Sequence, residues 1–180
     1  VIAKTLEAQT SLVRQLQARS VRRHYQALVR GVLDRPGLVD APIDRHPVLR
    51  TRMAVVQSGK PARTHYRMLE RFSGCTLIEC ALETGRTHQI RVHMMSIGHP
   101  LVGDPVYVGN KGGSSARLLF PRQALHAWRL ALQHPATGRV MHWTAPLPRD
   151  MAALLDALRA PDEKSGSEIT KVSSEAAKNQ

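Results

Sequence analysis

Acidic residues are scarce in this chain: fourteen Asp and Glu stand against twenty-six Lys and Arg, for a formal net charge of +12. Two cysteines, no apolar run of membrane length and no initial methionine complete the shortages. The missing apolar run excludes a membrane-spanning helix, which needs about 20 such residues. Val1-Ile2-Ala3-Lys4-Thr5 lacks the layout of a secretory signal, and the expected setting is the cytoplasm. Cys75 and Cys80 lie five apart in a strand-like run, so their side chains point to opposite faces and cannot pair with each other. They are expected to be buried, reduced thiols. The opening residues read as the middle of a strand, which leads us to expect a fragment or processed product with something upstream. The acid deficit falls on the body of the chain, since the last twenty residues hold four acids against three lysines. A basic body richer in Arg than in Lys points to a phosphate-bearing partner, RNA or DNA, because guanidinium groups grip phosphate in pairs of hydrogen bonds and stack on bases.

What is present suits one domain over residues 1–160 followed by a polar, disordered tail over 161–180. Thr5 can cap a helix with Leu6, Leu12, Val13 and Leu16 at helical spacing and Glu7 in its first turn. Residues 24–32 predict a strand carrying Tyr25, closed by the turn signal Asp34-Arg35-Pro36-Gly37. Residues 34–50 read as a long excursion without an element. From 62 to 71 strict alternation predicts a strand with Arg63, His65, Arg67, Leu69 and Arg71 on one face, either a solvated surface or a nucleic-acid contact. Phe72-Ser73-Gly74 turns into a second strand over 75–82, making an antiparallel hairpin. Residues 103–123 predict a mobile basic loop with Lys111, Arg117 and Arg122. Strands around 127–133 and 140–144 follow, then a helix from near Pro148 with Met151, Leu154, Leu155 and Leu158 as its apolar stripe.

The chemistry concentrates in "ETGRTHQIRVHMMSIGHP", residues 83–100. Thr87 can cap a helix over 88–97 with Ile90, Met94 and Ile97 on one side, stopped by Gly98 and Pro100. His88 and His93 then diverge by about 140° around the helix, unlike a metal-binding pair one turn apart; no metal is expected. Arg86, near the helix start, fits either a phosphate contact or an ordinary surface arginine. Arg91 borders the buried stripe, where a guanidinium demands a carboxylate.

With its continuation "LVGDPVY", this segment resembles the third motif of the RluA/RluD family of pseudouridine synthases. "RRHYQALVRG" resembles that family's tyrosine motif, "APIDRHPVLRTRMAVVQSGKPARTHYRML" its central segment and "RQALHAWRLALQHPATGRVMHWTAPLP" its C-terminal strands. The resemblance implies an α+β catalytic domain with a mixed, largely antiparallel sheet flanked by helices. It implies a cofactor-independent isomerisation of uridine in large-subunit ribosomal RNA: the N-glycosidic bond is cut, the uracil turns and it is rejoined through carbon; a monomer is expected. Tyr25 matches the tyrosine that stacks on the target base, the alternative being a half-buried strand tyrosine. Ile90 matches the pocket floor, and Arg91 the arginine that pairs with the catalytic aspartate. Arg86, Thr87, His88 and Gln89 match the site's entrance, while Arg23, Arg63 and Arg67 are expected to hold RNA. The aspartate itself, in an Arg-Leu-Asp motif, is expected upstream of Val1, with Asp34 and Asp104 rejected as substitutes and Asp104 read as a loop anchor. The alternative for the chain as it stands is a non-catalytic RNA-binding module.

Overall fold

The computed structural model describes residues 1–107 and 120–160. The tail over 161–180 and most of the expected basic loop, including Lys111 and Arg117, lie outside the described residues. In chain order the elements are α1 (Leu6–Gln17), β1 (Arg22–Arg30), β2 (Gly37–Asp40), β3 (Ile43–Arg45), β4 (Met53–Val55), β5 (Arg63–Phe72), β6 (Cys75–Leu82), α2 (Gln89–Ser96), β7 (Leu125–Gln133), β8 (Val140–Thr144) and α3 (Arg149–Arg159). Six strands form one sheet in the order β2-β5-β6-β1-β7-β8, and β3 with β4 makes a separate hairpin. Every described pairing is antiparallel, so the expected mixed character is absent from the described strands. The excursion expected over 34–50 in fact holds β2 and β3. Strands of four and three residues are too short to show a period in sequence.

The sheet is covered on both faces because β1 and β6 bury side chains on both. On one side Ala27, Val29, Ile78 and Cys80 pack with Ile90 and Met94 of α2. On the other, Leu28, Cys75 and Leu77 pack with Met151, Leu154 and Leu155 of α3. The two cysteines therefore occupy opposite faces, and burial pushes their thiols up to about 11 for Cys75 and about 12 for Cys80, which keeps them unreactive. α1 starts as expected, with the Thr5 hydroxyl accepting the Ala8 N–H, and its Leu12 packs on Val21 and Leu132 beside β7.

The all-basic face expected on β5 does not survive. Leu69 bulges out of the pairing with β6, so Arg67 stands opposite Glu79 whereas Arg71 stands opposite Thr76, on the other face. The cations that remain together are neutralised: Arg63 pairs with Asp40 at 2.8 Å and Glu83 at 3.2 Å, His65 sits 2.6 Å from Glu83, and Arg67 pairs with Glu79. His24 adds a second contact to Glu79 at 2.7 Å. This surface is a salt-bridge network in which Arg63 and Arg67, both expected to hold RNA, are ion-paired, Arg67 with most of its side chain exposed.

Candidate active site

α2 begins one residue later than expected, at Gln89, and Thr87 is not its cap. His88 occupies that position with φ +57° and makes no side-chain capping bond. The work falls to Gln89, only 3% exposed. Its carbonyl accepts the Arg86 N–H at 2.9 Å and the Thr84 hydroxyl at 2.8 Å, while its amide donates to the Arg63 carbonyl at 2.9 Å and the Thr64 hydroxyl at 3.0 Å. Both hydrogens and both acceptor sites are used, so Gln89 cannot contact RNA; it ties the 83–88 turn to β5. The helix ends as expected at Gly98, whose φ of +84° only glycine adopts without strain. Ile97 falls outside the helix and is partly exposed.

The polar chain continues inward. Having accepted from Gln89, the Thr64 hydroxyl can donate to His93 Nδ1 at 2.8 Å, and His93 Nε2–H donates to the Ala41 carbonyl at 2.9 Å. The ring is fixed in its neutral form, and burial lowers the His93 pKa from its ordinary 6.5. His88 is similarly lowered by burial and then by the Arg91 charge. For both, the unfolded chain takes up a proton before the folded one. Their contribution is intact above pH 6.5 and is lost as pH falls below it. The thermal unfolding midpoint is therefore expected to drop between about pH 7 and pH 5; a midpoint independent of pH over that window would contradict the neutral assignment.

Arg91 is 8% exposed and does have a carboxylate within the chain. Its Nε donates to Asp104 Oδ2 at 2.7 Å and its Nη2 to Asp104 Oδ1 at 2.8 Å. Our expectation that the partner lies only upstream is corrected to that extent. Asp104 Oδ1 also accepts the backbone N–H groups of Val106 at 2.9 Å and Tyr107 at 3.0 Å. Burial raises the Asp104 pKa, but Arg91 and those two N–H groups outweigh it and the carboxyl ends below its ordinary value. The guanidinium lies 4.8 Å over the Tyr107 ring. The Tyr107 hydroxyl accepts the Met53 N–H and lies 2.9 Å from His88 Nδ1. Tyr107 thus joins the β3–β4 hairpin, α2 and the Asp104 turn. Tyr107 ends the quoted third-motif segment, but its role was not legible there, because its contacts come from segments far apart in the chain.

Tyr25, half-buried on β1, packs on the cluster that contains Ile90. Its hydroxyl makes no hydrogen bond among the described residues. Arg23 shares its face of the strand, two residues earlier. Arg86 Nε donates to the Pro61 carbonyl at 3.1 Å, and Thr87 is exposed. Two cavities of about 450 Å³ each flank this turn, one toward α1 with Arg19 and Arg23, the other toward the hairpin with Arg45, Arg50 and Lys60. Among the described residues Arg23, Arg45, Arg50, Lys60 and Arg86 have no carboxylate partner. Arg122, expected in the RNA-gripping loop, instead forks onto Asp150 of α3 at 2.8 and 2.9 Å. Each histidine of the 83–100 stretch has its own partner: His88 with Tyr107, His93 with Thr64 and Ala41, and His99 with the Arg30 carbonyl. No group of three metal-ligating side chains forms among the described residues.

A family model described as RNA pseudouridylate synthase matches residues 1–96. The chain is 64% identical over 162 residues to ribosomal large subunit pseudouridine synthase D of Nitrosomonas europaea, covering 88% of this chain and 47% of that protein. It is 52% identical over 177 residues to the protein of the same name from Escherichia coli strain K12, covering 94% of this chain and 54% of the relative. The chain thus spans about half the length of these relatives. Among solved structures, human RNA pseudouridylate synthase domain containing 1 matches with a TM-score of 0.65 and 29% identity, covering 89% of this chain and 76% of that one. Human RNA pseudouridylate synthase domain containing 4 matches with a TM-score of 0.69 and 26% identity, covering 88% and 70%.

Proposed function

This chain belongs to the RNA pseudouridylate synthase family, and on that premise we propose that it supplies the RNA-holding and base-holding part of a catalytic domain that converts uridine to pseudouridine in large-subunit ribosomal RNA. The observation that carries the reading is the gathering of cations without a carboxylate partner among the described residues on both sides of the Gly85–His88 turn, one of them, Arg23, two residues before the half-buried Tyr25 on the same face of β1. Cations hold the phosphates, and a flipped uracil stacks on Tyr25 over the apolar floor at Ile90. No cofactor is called for on this reading, because the family resemblance implies a cofactor-independent isomerisation. The enzyme acts as a cytoplasmic monomer.

The family resemblance pairs Arg91 with the catalytic aspartate, so the Arg91–Asp104 contact favours a second reading in which Asp104 is that residue. Its surroundings argue against it. The Asp104 side chain has no exposure, and its oxygens already accept four hydrogen bonds, from Arg91 twice, Val106 and Tyr107. A carboxylate so held cannot reach a ribose carbon. Asp40, Asp150 and Asp156 pair with Arg63, Arg122 and Arg159 at the surface, and the exposed Asp34 and Asp44 are not among the groups that act on Arg91. We therefore assign the nucleophile to an upstream Arg-Leu-Asp segment, with Arg91 Nη1, which has no hydrogen bond to a described residue, available to it.

The test compares this chain with a version extended upstream to include such a segment, on a uridine-containing ribosomal stem-loop. Conversion replaces the uracil C5–H bond by a C5–ribose bond, so release of tritium from C5 reports it. The extended protein is expected to release tritium and the present chain to bind RNA without releasing it. An inactive extended protein sinks the enzyme reading, and release by the present chain sinks the upstream assignment.

A further inference from the structure

Arg23 is the cation whose surroundings are hardest to explain without a ligand. It projects from β1 into the cavity between the end of α1 and the 83–86 turn, where its guanidinium lies against Gly85 so closely that a Cβ there would collide with Nη1. Its Nε is buried and has no partner. The terminal nitrogens form no hydrogen bond to a described residue either, and they are open to the cavity. A guanidinium held against backbone with its donors unmet forfeits hydrogen bonds that water or an oxyanion must return.

The rest of the wall sets the sign of the ligand. Arg19 and Arg86 also line the cavity, and the only acid there is Glu83. Glu83 is already held by His65 at 2.6 Å, Arg63 at 3.2 Å and Arg19, itself on the cavity wall, at 3.5 Å. Its charge is therefore spent, and Arg23 and Arg86 face the cavity uncompensated. Gly85 is the one residue of the wall whose lack of a side chain matters, because any other would displace Arg23.

We propose that this cavity seats a single phosphate, supplied by the RNA backbone, with Arg23 as its main ligand, Arg86 beside it and Gly85 as the surface that orients Arg23. The proposal rests on the RNA reading above and adds to it a specific position. Because Arg23 and Tyr25 lie on one face of β1, a phosphate held here fixes the strand two side chains from the ring on which the base would stack.

The test measures binding of a fluorescent uridine-containing stem-loop by the unmodified chain, Arg23→Gln, Gly85→Ala and, as a control for charge alone, Arg14→Gln, an exposed cation on α1 outside the cavity. Arg23→Gln is expected to weaken binding about 3- to 10-fold and to lower the slope of log Kd against log salt by about one. Gly85→Ala leaves the charge unchanged and crowds only the flexible end of Arg23, so it should weaken binding less than Arg23→Gln. Equal affinities for Arg23→Gln and the parent, or an Arg14→Gln loss as large as that of Arg23→Gln, would overturn the proposal. Titration of the parent with inorganic phosphate, followed through the arginine Nε–H resonances, keeps the two readings apart. A saturable shift of Arg23 that weakens in Gly85→Ala supports the seat even for a chain that binds no RNA, a result that would sink the RNA reading alone. An Arg23 resonance that phosphate does not move overturns the seat.

Discussion

Replacing Asp104 by alanine is expected to destabilise the domain by about 3–5 kcal/mol, the cost of leaving a buried guanidinium without its partner. The carboxylate is 2% exposed, and its removal strands Arg91 Nε and Nη2 as well as the backbone N–H groups of Val106 and Tyr107. Small domains have only about 5–15 kcal/mol in total, so Asp104→Ala should unfold at much lower urea concentration or fail to accumulate. The milder Asp104→Asn keeps the shape and can still accept the backbone N–H groups, and it separates loss of charge from loss of the anchor. Acid gives an independent measure. Because the folded carboxyl titrates below its ordinary 3.8, its contribution is fully present above that value and disappears as pH falls through the lower, folded value. The parent should lose stability in that acid window and Asp104→Asn should lose less there. An alanine variant within about 1 kcal/mol of the parent would show that the pair is not a structural anchor, a result ordinary for surface salt bridges but not for this one.

What could be read from residues alone follows the range of the interactions. The Thr5 cap, the stop at Gly98, the β5–β6 hairpin and the stripe of α3 depend on neighbours a few residues apart, and all of them are where the pattern puts them. The demand of Arg91 for a carboxylate was also legible, from its place beside Ile90. The identity of that carboxylate was not. Asp104 lies thirteen residues away across the Gly98 stop, and its partner atoms meet only after α2 has packed on the sheet. Asp104 as a loop anchor was read correctly from Gly103-Asp104-Pro105, whereas its grip on Arg91 was not. The basic stripe on β5 failed for two physical reasons. A one-residue bulge at Leu69 reverses the alternation, and Glu79 and Glu83 arrive from the neighbouring strand to neutralise what the single strand displays. Gln89 resembled a polar contact residue and turned out to be a saturated internal tie.

These corrections move the positive surface. On β5, Arg63, His65 and Arg67 are ion-paired, whereas Arg23, Arg45, Arg50, Lys60 and Arg86, without a carboxylate partner among the described residues, line the cavities on either side of the Gly85–His88 turn. A charge pattern read from sequence counts cations; the structure shows which of them are already paired.

Tyr25 is where the proposed chemistry meets that surface, and its substitutions are expected to have the largest effect on conversion. In the protein extended to carry the upstream aspartate, Tyr25→Leu removes the platform for the flipped base, a stack worth about 1–3 kcal/mol. Tyr25→Phe keeps the ring and removes only a hydroxyl that has no hydrogen bond among the described residues. It should therefore fold like the parent, within about 0.5 kcal/mol, and bind the stem-loop with nearly the same Kd. If the hydroxyl helps take the C5 proton from the rearranged product, tritium release should nonetheless fall by about 100-fold or more, the usual scale of a positioned general base. Weak binding in Tyr25→Leu together with tight binding but slow release in Tyr25→Phe would assign the ring to holding the base and the oxygen to the proton. Parent-like release by Tyr25→Phe would remove the oxygen from the reaction and leave stacking alone. A folding defect in Tyr25→Phe would instead show a hydroxyl used inside the fold, and Tyr25 would become the half-buried strand tyrosine that the sequence also allowed.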